Sequence, residues 1–304
     1  MTTNLQVTLW PTFPHFERFA TDHRLSGIRM NSAMIHAPEL DAEIDRARSI
    51  SGTIPLYFDV KGRQLRIKEA ITDLDHLELR LHRPISVKTP TPVLFKAGED
   101  ASLLVDVQDD GKHLIFRGGP EYMVHAGESI HIREPSLQVG GDTFSDYEVE
   151  KIDKVVRAGF DRYYLSYCEG QRDIDAFREF IGDAELFVKV ENKVGLDFVA
   201  NEWKPQPNTH LCAARGDLYV ELDMPHQILE AVRLIVDKDP GAIVGSRMLL
   251  SMVDSSVPRC ADFSDLAWLH QIGYRNMLLC DELCLKEELL GRAINAFAAF
   301  RSTL

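Results

Sequence analysis

The sequence predicts an α/β protein: a closed barrel of eight parallel strands with a small all-β insertion after the third. Two observations carry this. Along most of the chain, short apolar strands alternate with helical stretches, and polar or charged residues stand at the strand ends. From about 64 to 138 the helical period vanishes, and short alternating runs separated by turn signals replace it.

Taken in order, Leu5-Gln6-Val7-Thr8-Leu9-Trp10 alternates and stops at Pro11, which reads as strand one. A helical pattern covers 16–22, and a strand entered through Gly27 covers 26–31. Pro38 opens a helix over 38–49, with Leu40, Ile44 and Ala47 on one face. Residues 53–58 read as strand three, ending at Asp59. The insertion shows strand patterns at 77–81, 103–107, 113–116 and 129–132. Its turns are marked by Asp109-Asp110-Gly111, Gly118-Gly119-Pro120 and Ala126-Gly127. Barrel pattern resumes at Ser145, which can cap a helix over 146–158, with Glu148 placed as in a capping box. Strands follow at 162–167, 185–190, 210–214, 242–245 and 276–279. Helices are expected at 174–181, 225–236, 262–272 and 287–301. The result is a (β/α)8 TIM barrel from 1–67 and 142–304, with a β lid at 68–141.

Composition bounds the function. The chain has 304 residues, 45% hydrophobic, enough for one large core or one and a half. A net charge of −13 argues against nucleic acid and anionic membranes as partners. The apolar runs are far shorter than a membrane span, and the N-terminus lacks the pattern of a signal peptide. Five cysteines without a Cys-x-x-Cys pair read as reduced thiols, so a cytoplasmic protein is expected.

The chemistry gathers at two strand ends. Lys189 and Glu191 are two residues apart and share a strand face, at the end of an apolar run. A buried cation and carboxylate there are costly unless paired or liganded. Asp217, in Ala214-Arg215-Gly216-Asp217-Leu218, stands at the end of the next strand. Two such carboxylates suit Mg²⁺, which keeps other positions for water and substrate oxygens. A surface ion pair and a plain Arg-Gly-Asp turn are the alternative reading, and the two motifs together argue against it.

Lys189-Val190-Glu191-Asn192 and Ala214–218 resemble the Lys-Ile-Glu-Asn and Ala-Arg-Gly-Asp-Leu segments of the pyruvate kinase family. Arg29-Met30-Asn31, Asp59-Val60-Lys61-Gly62, Arg66, Ser246-Arg247-Met248-Leu249-Leu250-Ser251-Met252 and Met277-Leu278-Leu279-Cys280-Asp281-Glu282 continue the resemblance in collinear order. It implies phosphoryl transfer between phosphoenolpyruvate, or a related enol phosphate, and a nucleotide (ADP or ATP). It implies Mg²⁺ or Mn²⁺ held by Glu191 and Asp217, and Lys189 beside the group in transfer. Arg29 would hold the phosphate, with Arg66 towards the nucleotide. Backbone groups of Ala214, Arg215, Gly216 and Asp217 would receive the substrate carboxylate. Ser246 keeps a hydroxyl where the family has threonine. A homo-oligomer is compatible with it.

Departures from the family pattern matter too. Asn31 and Asp59 match two ligands of the family's monovalent cation site, but Ala33 and Val60 replace its Ser and Thr, and Met34 stands where the family has the following His, which argues against a K⁺ requirement. The lid lacks the family's Lys-Gly-Val-Asn segment, so weak nucleotide binding is expected. The resemblance stops with the barrel, so the expectation is a short form without the family's further C-terminal domain. A second enzyme class fits the same residues: a metal-dependent lyase or aldolase that stabilises a 2-oxo acid enolate with Glu191, Asp217 and Arg29. A non-catalytic keto-acid-binding relative is the third reading.

Overall fold

Strand alternation decides what fills the barrel and what its mouth presents. The computed structural model describes residues 3–73, 76–119, 121 and 123–304; Pro120 of the Gly118-Gly119-Pro120 signal lies outside them. The chain opens with β1 (Asn4–Thr8), α1 (Phe16–Phe19), β2 (Gly27–Asn31), α2 (Ala37–Ser51) and β3 (Leu56–Lys61). The insertion holds β4 (Ile67–Asp73), β5 (His76–Leu81), β6 (Ile85–Ser86), β7 (Thr91–Phe95), β8 (Asp100–Gln108), β9 (His113–Arg117) and β10 (Gln138–Val139). Then come α3 (Asp146–Arg157), β11 (Arg162–Ser166), α4 (Gln171–Ile181), β12 (Glu185–Val190), α5 (Lys193–Asn201), β13 (Thr209–Ala214) and α6 (Arg215–Glu221). The chain ends with α7 (Ile228–Lys238), β14 (Ile243–Gly245), α8 (Cys260–Gln271), β15 (Asn276–Leu278), α9 (Asp281–Cys284) and α10 (Glu287–Arg301). Parallel strands close the barrel in the order β1-β15-β14-β13-β12-β11-β3-β2.

Inward residues form layers. Tyr57, Tyr164, Phe187, Cys212, Ile243 and Leu278 pack as one apolar layer, with Tyr164 stacked on Phe187 at 5.1 Å. Two residues further along β3, β11 and β12, the same face carries Asp59, Ser166 and Lys189. The polar layer is therefore the next register of the apolar one. Phe58, Val60, Leu165, Val188 and Val190 face outward into the core shared with the helices.

Several boundaries differ from expectation. Strand three runs to Lys61 rather than stopping at residue 58, because Asp59 and Lys61 are buried in the mouth instead of leaving the sheet. Asn192 caps an unexpected helix, α5, accepting from the Gly195 amide at 2.8 Å. A Cβ on Gly195 would lie 2.5 Å from the Cys168 carbonyl, so this close approach needs glycine. Asp217, expected at a strand end, sits in the first turn of α6. Ser145 caps α3, accepting from the Glu148 amide at 3.3 Å. The Glu148 carboxylate instead accepts from the Lys61 backbone amide at 3.2 Å, so its side chain serves the barrel wall.

In the insertion, antiparallel strands run in the order β4-β5-β9-β8-β7, and β6 pairs with β10. The expected strand at 129–132 appears as two bridges, Arg66 with Ser129 and Leu94 with His131. This segment thus touches both edge strands of the sheet and covers groups that would otherwise stay unpaired. Among the described residues no helix is long and apolar enough to cross a membrane.

Candidate active site

Asp59 is the hub of the barrel mouth. Its side chain is 0% exposed and meets three cations: Arg29 Nη2 at 2.6 Å, Lys61 Nζ at 3.1 Å and Lys189 Nζ at 3.2 Å. Ser166 Oγ donates to its other oxygen at 2.8 Å. Burial alone would raise its pKa, but Lys189, Lys61 and Arg29 hold it well below the usual carboxylate range. Arg29 is further fixed by Asp281 at 2.7 Å and by Thr8 Oγ1 at 2.8 Å. Lys189 also pairs with Glu191 at 2.9 Å. Burial opposes its charge, yet Asp59 and Glu191 together raise its pKa, so it stays an ammonium ion. The Lys61 ammonium pairs with Asp59, and burial pushes it down to about 7.

Glu191 is 2% exposed and accepts from the Tyr167 amide at 2.7 Å. Burial, then Asp217 and Asp59, outweigh Lys189 and push its carboxyl up to about 7. Asp217 is more open, with His131 Nε2 3.5 Å from its Oδ1. Among the described residues no group of three or more His, Cys, Asp and Glu side chains forms a ready-made metal site. Glu191 and Asp217 line one cavity from neighbouring elements, and Asp281 and Glu282 also border it.

That cavity, about 270 Å³, is lined by Arg29, Lys61, Lys189, Glu191, Asp217 and Ser246, among others. Ala214, Gly216, Arg66 and Asn31 also border it. Arg215 does not. Its guanidinium forms a two-point ion pair with Asp265, at 2.7 and 2.9 Å, and donates to the Ser246 carbonyl. It braces a turn in which Ser246 and Arg247 have φ of 67° and 63°, a strained conformation that aims Ser246 at the cavity. Asn31 and Asp59, weighed above as monovalent-cation ligands, are engaged elsewhere. Asn31 Nδ2 donates to Asp281 at 2.9 Å, and Asp59 holds its three cations. Asp281, quoted above only within its motif and given no role, borders the cavity; its signal was an acid just beyond an apolar strand.

A second cavity, about 430 Å³, lies between the barrel and the insertion. It shares Lys61, Gln64 and Arg66 with the first. His82 and Tyr147 stack on one wall, 6.3 Å apart with an 11° interplanar angle. Lys68 and Lys151 add positive charge. Arg66 donates to the Gly127 carbonyl and to Gln64, while its Nε is buried with no partner among the described residues.

No family model matches the chain. Curated relatives align with it along most of its length. The pyruvate kinase of Thermoplasma acidophilum is 25% identical over 288 residues, covering 88% of this chain and 52% of that protein. The pyruvate kinase of Methanocaldococcus jannaschii is 23% identical over 290 residues, covering 87% and 61%. Over most of its length the chain is similar to these pyruvate kinases. It spans little more than half the length of these two. The crystal structure of pyruvate kinase from Pyrobaculum aerophilum superposes with a TM-score of 0.73 at 16% identity, covering 100% of this chain and 74% of that one, a likeness of fold. The residues that carry the resemblance to the pyruvate kinases meet at one place: Arg29, Lys189, Glu191, Asp217 and Ser246 all border a single cavity.

Proposed function

We propose that the barrel mouth carries out Mg²⁺-dependent phosphoryl transfer between an enol phosphate of the phosphoenolpyruvate type and a nucleotide. The observation that carries this reading is the pair of adjoining cavities that share Lys61, Gln64 and Arg66. A transfer between two ligands needs two sites side by side, with fixed cations at their junction. An enolate-forming lyase would use the first cavity alone.

The donor set fits the metal. Glu191 and Asp217 would hold it: hard oxygen ligands beside open space, one of them a buried carboxylate whose charge Lys189 only partly offsets. When bound, Mg²⁺ supplies neutralisation of negative charge on the substrate oxygens. The chain's own groups do the rest. Arg29, pinned by Asp59, Asp281 and Thr8, presents a preorganised guanidinium to the phosphate. Lys189 offsets charge on the migrating group, and Lys61 stands at the junction between the cavities. The phosphoryl group leaves the enol oxygen for a terminal phosphate oxygen of the nucleotide. The enolate left behind takes a proton on carbon, with the Ser246 hydroxyl positioned to hold the donating water. In the second cavity the flat faces of Tyr147 and His82 suit a base, and Lys68 and Arg66 suit its phosphates.

Calorimetric titration with oxalate and with ADP, each with and without Mn²⁺, tests the assignment of both cavities. Oxalate should bind only with the metal, and Asp217→Ala should lose both metal and oxalate. ADP should bind, and Tyr147→Ala should weaken it several-fold. Oxalate binding without any ADP binding would favour the lyase reading. Unchanged Mn²⁺ affinity in Asp217→Ala would remove the metal from this site.

A further inference from the structure

His131 belongs to the insertion, yet its ring reaches into the barrel site. The strand-like alternation of its segment explains how. Ile130 and Ile132 are buried in the insertion's own core, so the residue between them faces the other way. Its backbone is fixed by reciprocal hydrogen bonds with Leu94, at 2.9 and 3.0 Å. The ring is 1% exposed.

Around that ring lie three groups of the barrel, two on α6 and one just beyond β11. Nδ1 is 2.6 Å from Glu221 Oε1 on α6. The Tyr167 hydroxyl, just beyond β11, is 3.2 Å from the same nitrogen. Among the described residues Nε2 has no hydrogen-bond partner, and it points at Asp217 Oδ1, 3.5 Å away in the first turn of α6. Tyr167 has a φ of 51° and gives its backbone amide to Glu191. His131 is therefore next to one candidate metal ligand and one residue removed from the other. Arg133 adds a hydrogen bond to the Val220 carbonyl, so the insertion grips the helix whose first turn holds Asp217.

We propose that His131 is a positioning residue that latches the insertion onto α6 and holds the Asp217 carboxylate, coupling lid docking to metal binding at the barrel mouth. Glu221 aims the ring and Tyr167 relays the contact to Glu191. Groups that orient metal ligands typically change affinity 10–100-fold when removed. Coupling of this kind is reciprocal: if docking favours the metal, the metal favours docking by the same factor.

The proposal rests on the metal assignment to Glu191 and Asp217, and its test needs no turnover. Mn²⁺ affinity is measured by calorimetry, and amide hydrogen exchange of residues 124–134 is followed with and without Mn²⁺. In the wild type, Mn²⁺ should slow exchange in this segment. His131→Ala should bind Mn²⁺ about 10-fold or more weakly and lose the Mn²⁺-linked protection. Glu221→Gln should shift both readouts in the same direction by less, and it serves if His131→Ala does not fold. His131→Gln, which can still donate to Glu221, should recover part of the affinity. Wild-type affinity and linked protection in the folded variants would overturn the latch, as would insertion exchange in the wild type that ignores bound Mn²⁺. A wild type that binds no Mn²⁺ would overturn the metal assignment and the latch together.

Discussion

Replacing Lys189 with methionine is expected to lower turnover of enol phosphate and nucleotide about 10²–10³-fold while leaving Mn²⁺ affinity within a few-fold of wild type. Lys189 stands between Asp59, Ser166 and Glu191, at 3.2, 2.9 and 2.9 Å, and borders the cavity that would hold the migrating group. It is a fixed charge: Asp59 and Glu191 raise its pKa above the ordinary lysine value despite burial, so it does not titrate in any usual assay range. Methionine keeps the apolar stem and removes the ammonium. Asp59 would still have Arg29 and Lys61. Steady-state kinetics with a thermal-stability control check the prediction. Near-normal kcat would make Lys189 a structural cation. The matching Arg29→Met variant separates reaction classes, because enolate stabilisation without phosphoryl transfer should depend more on Arg29 than on Lys189.

The Asp59→Asn variant is expected to lose about 3–5 kcal/mol of stability, the cost of leaving buried charges without their counter-ion. Three cations lie within 3.2 Å of a carboxylate that water does not reach. The pH dependence has a definite sign. Asp59 titrates well below its ordinary value of 3.8 in the folded protein, so its contribution is complete above the unfolded value. The contribution is lost as pH falls from there towards the folded-state pKa. Urea unfolding at pH 7 and at pH 3 should show a smaller difference between wild type and variant at the lower pH. Equal stability of the two proteins at pH 7 would show that the cluster is held together by something other than Asp59.

Much of the barrel was legible because its strands are short, apolar and ended by charge, as at 185–190 and 210–214. The interior layers follow from the same alternation: Tyr57 and Asp59, Tyr164 and Ser166, Phe187 and Lys189 are successive inward positions. What could not be read depended on partners far apart in sequence. His131 lies within an alternating run of the insertion, and only folding brings it to Glu221, 90 residues on. Asp281 meets Arg29 across 252 residues. Arg215 was expected to offer its backbone to a substrate carboxylate; the partner of its side chain, Asp265, is a residue without any local signal. Short helices such as α5 and α6 escaped because Val194, Gly195 and Gly216 are poor helix formers. Their caps and the packing of the barrel hold them in place.

The most direct test is a coupled assay of pyruvate and ATP formation from phosphoenolpyruvate and ADP in Mg²⁺, with and without K⁺, for the wild type and Asp217→Ala. The expected result is turnover by the wild type that requires Mg²⁺, is not stimulated by K⁺ because Asp59 already holds three fixed cations, and disappears in Asp217→Ala. No phosphoryl transfer by the wild type at millimolar substrates, with oxalate binding retained, would contradict the kinase reading and leave the mouth of the barrel to enolate chemistry.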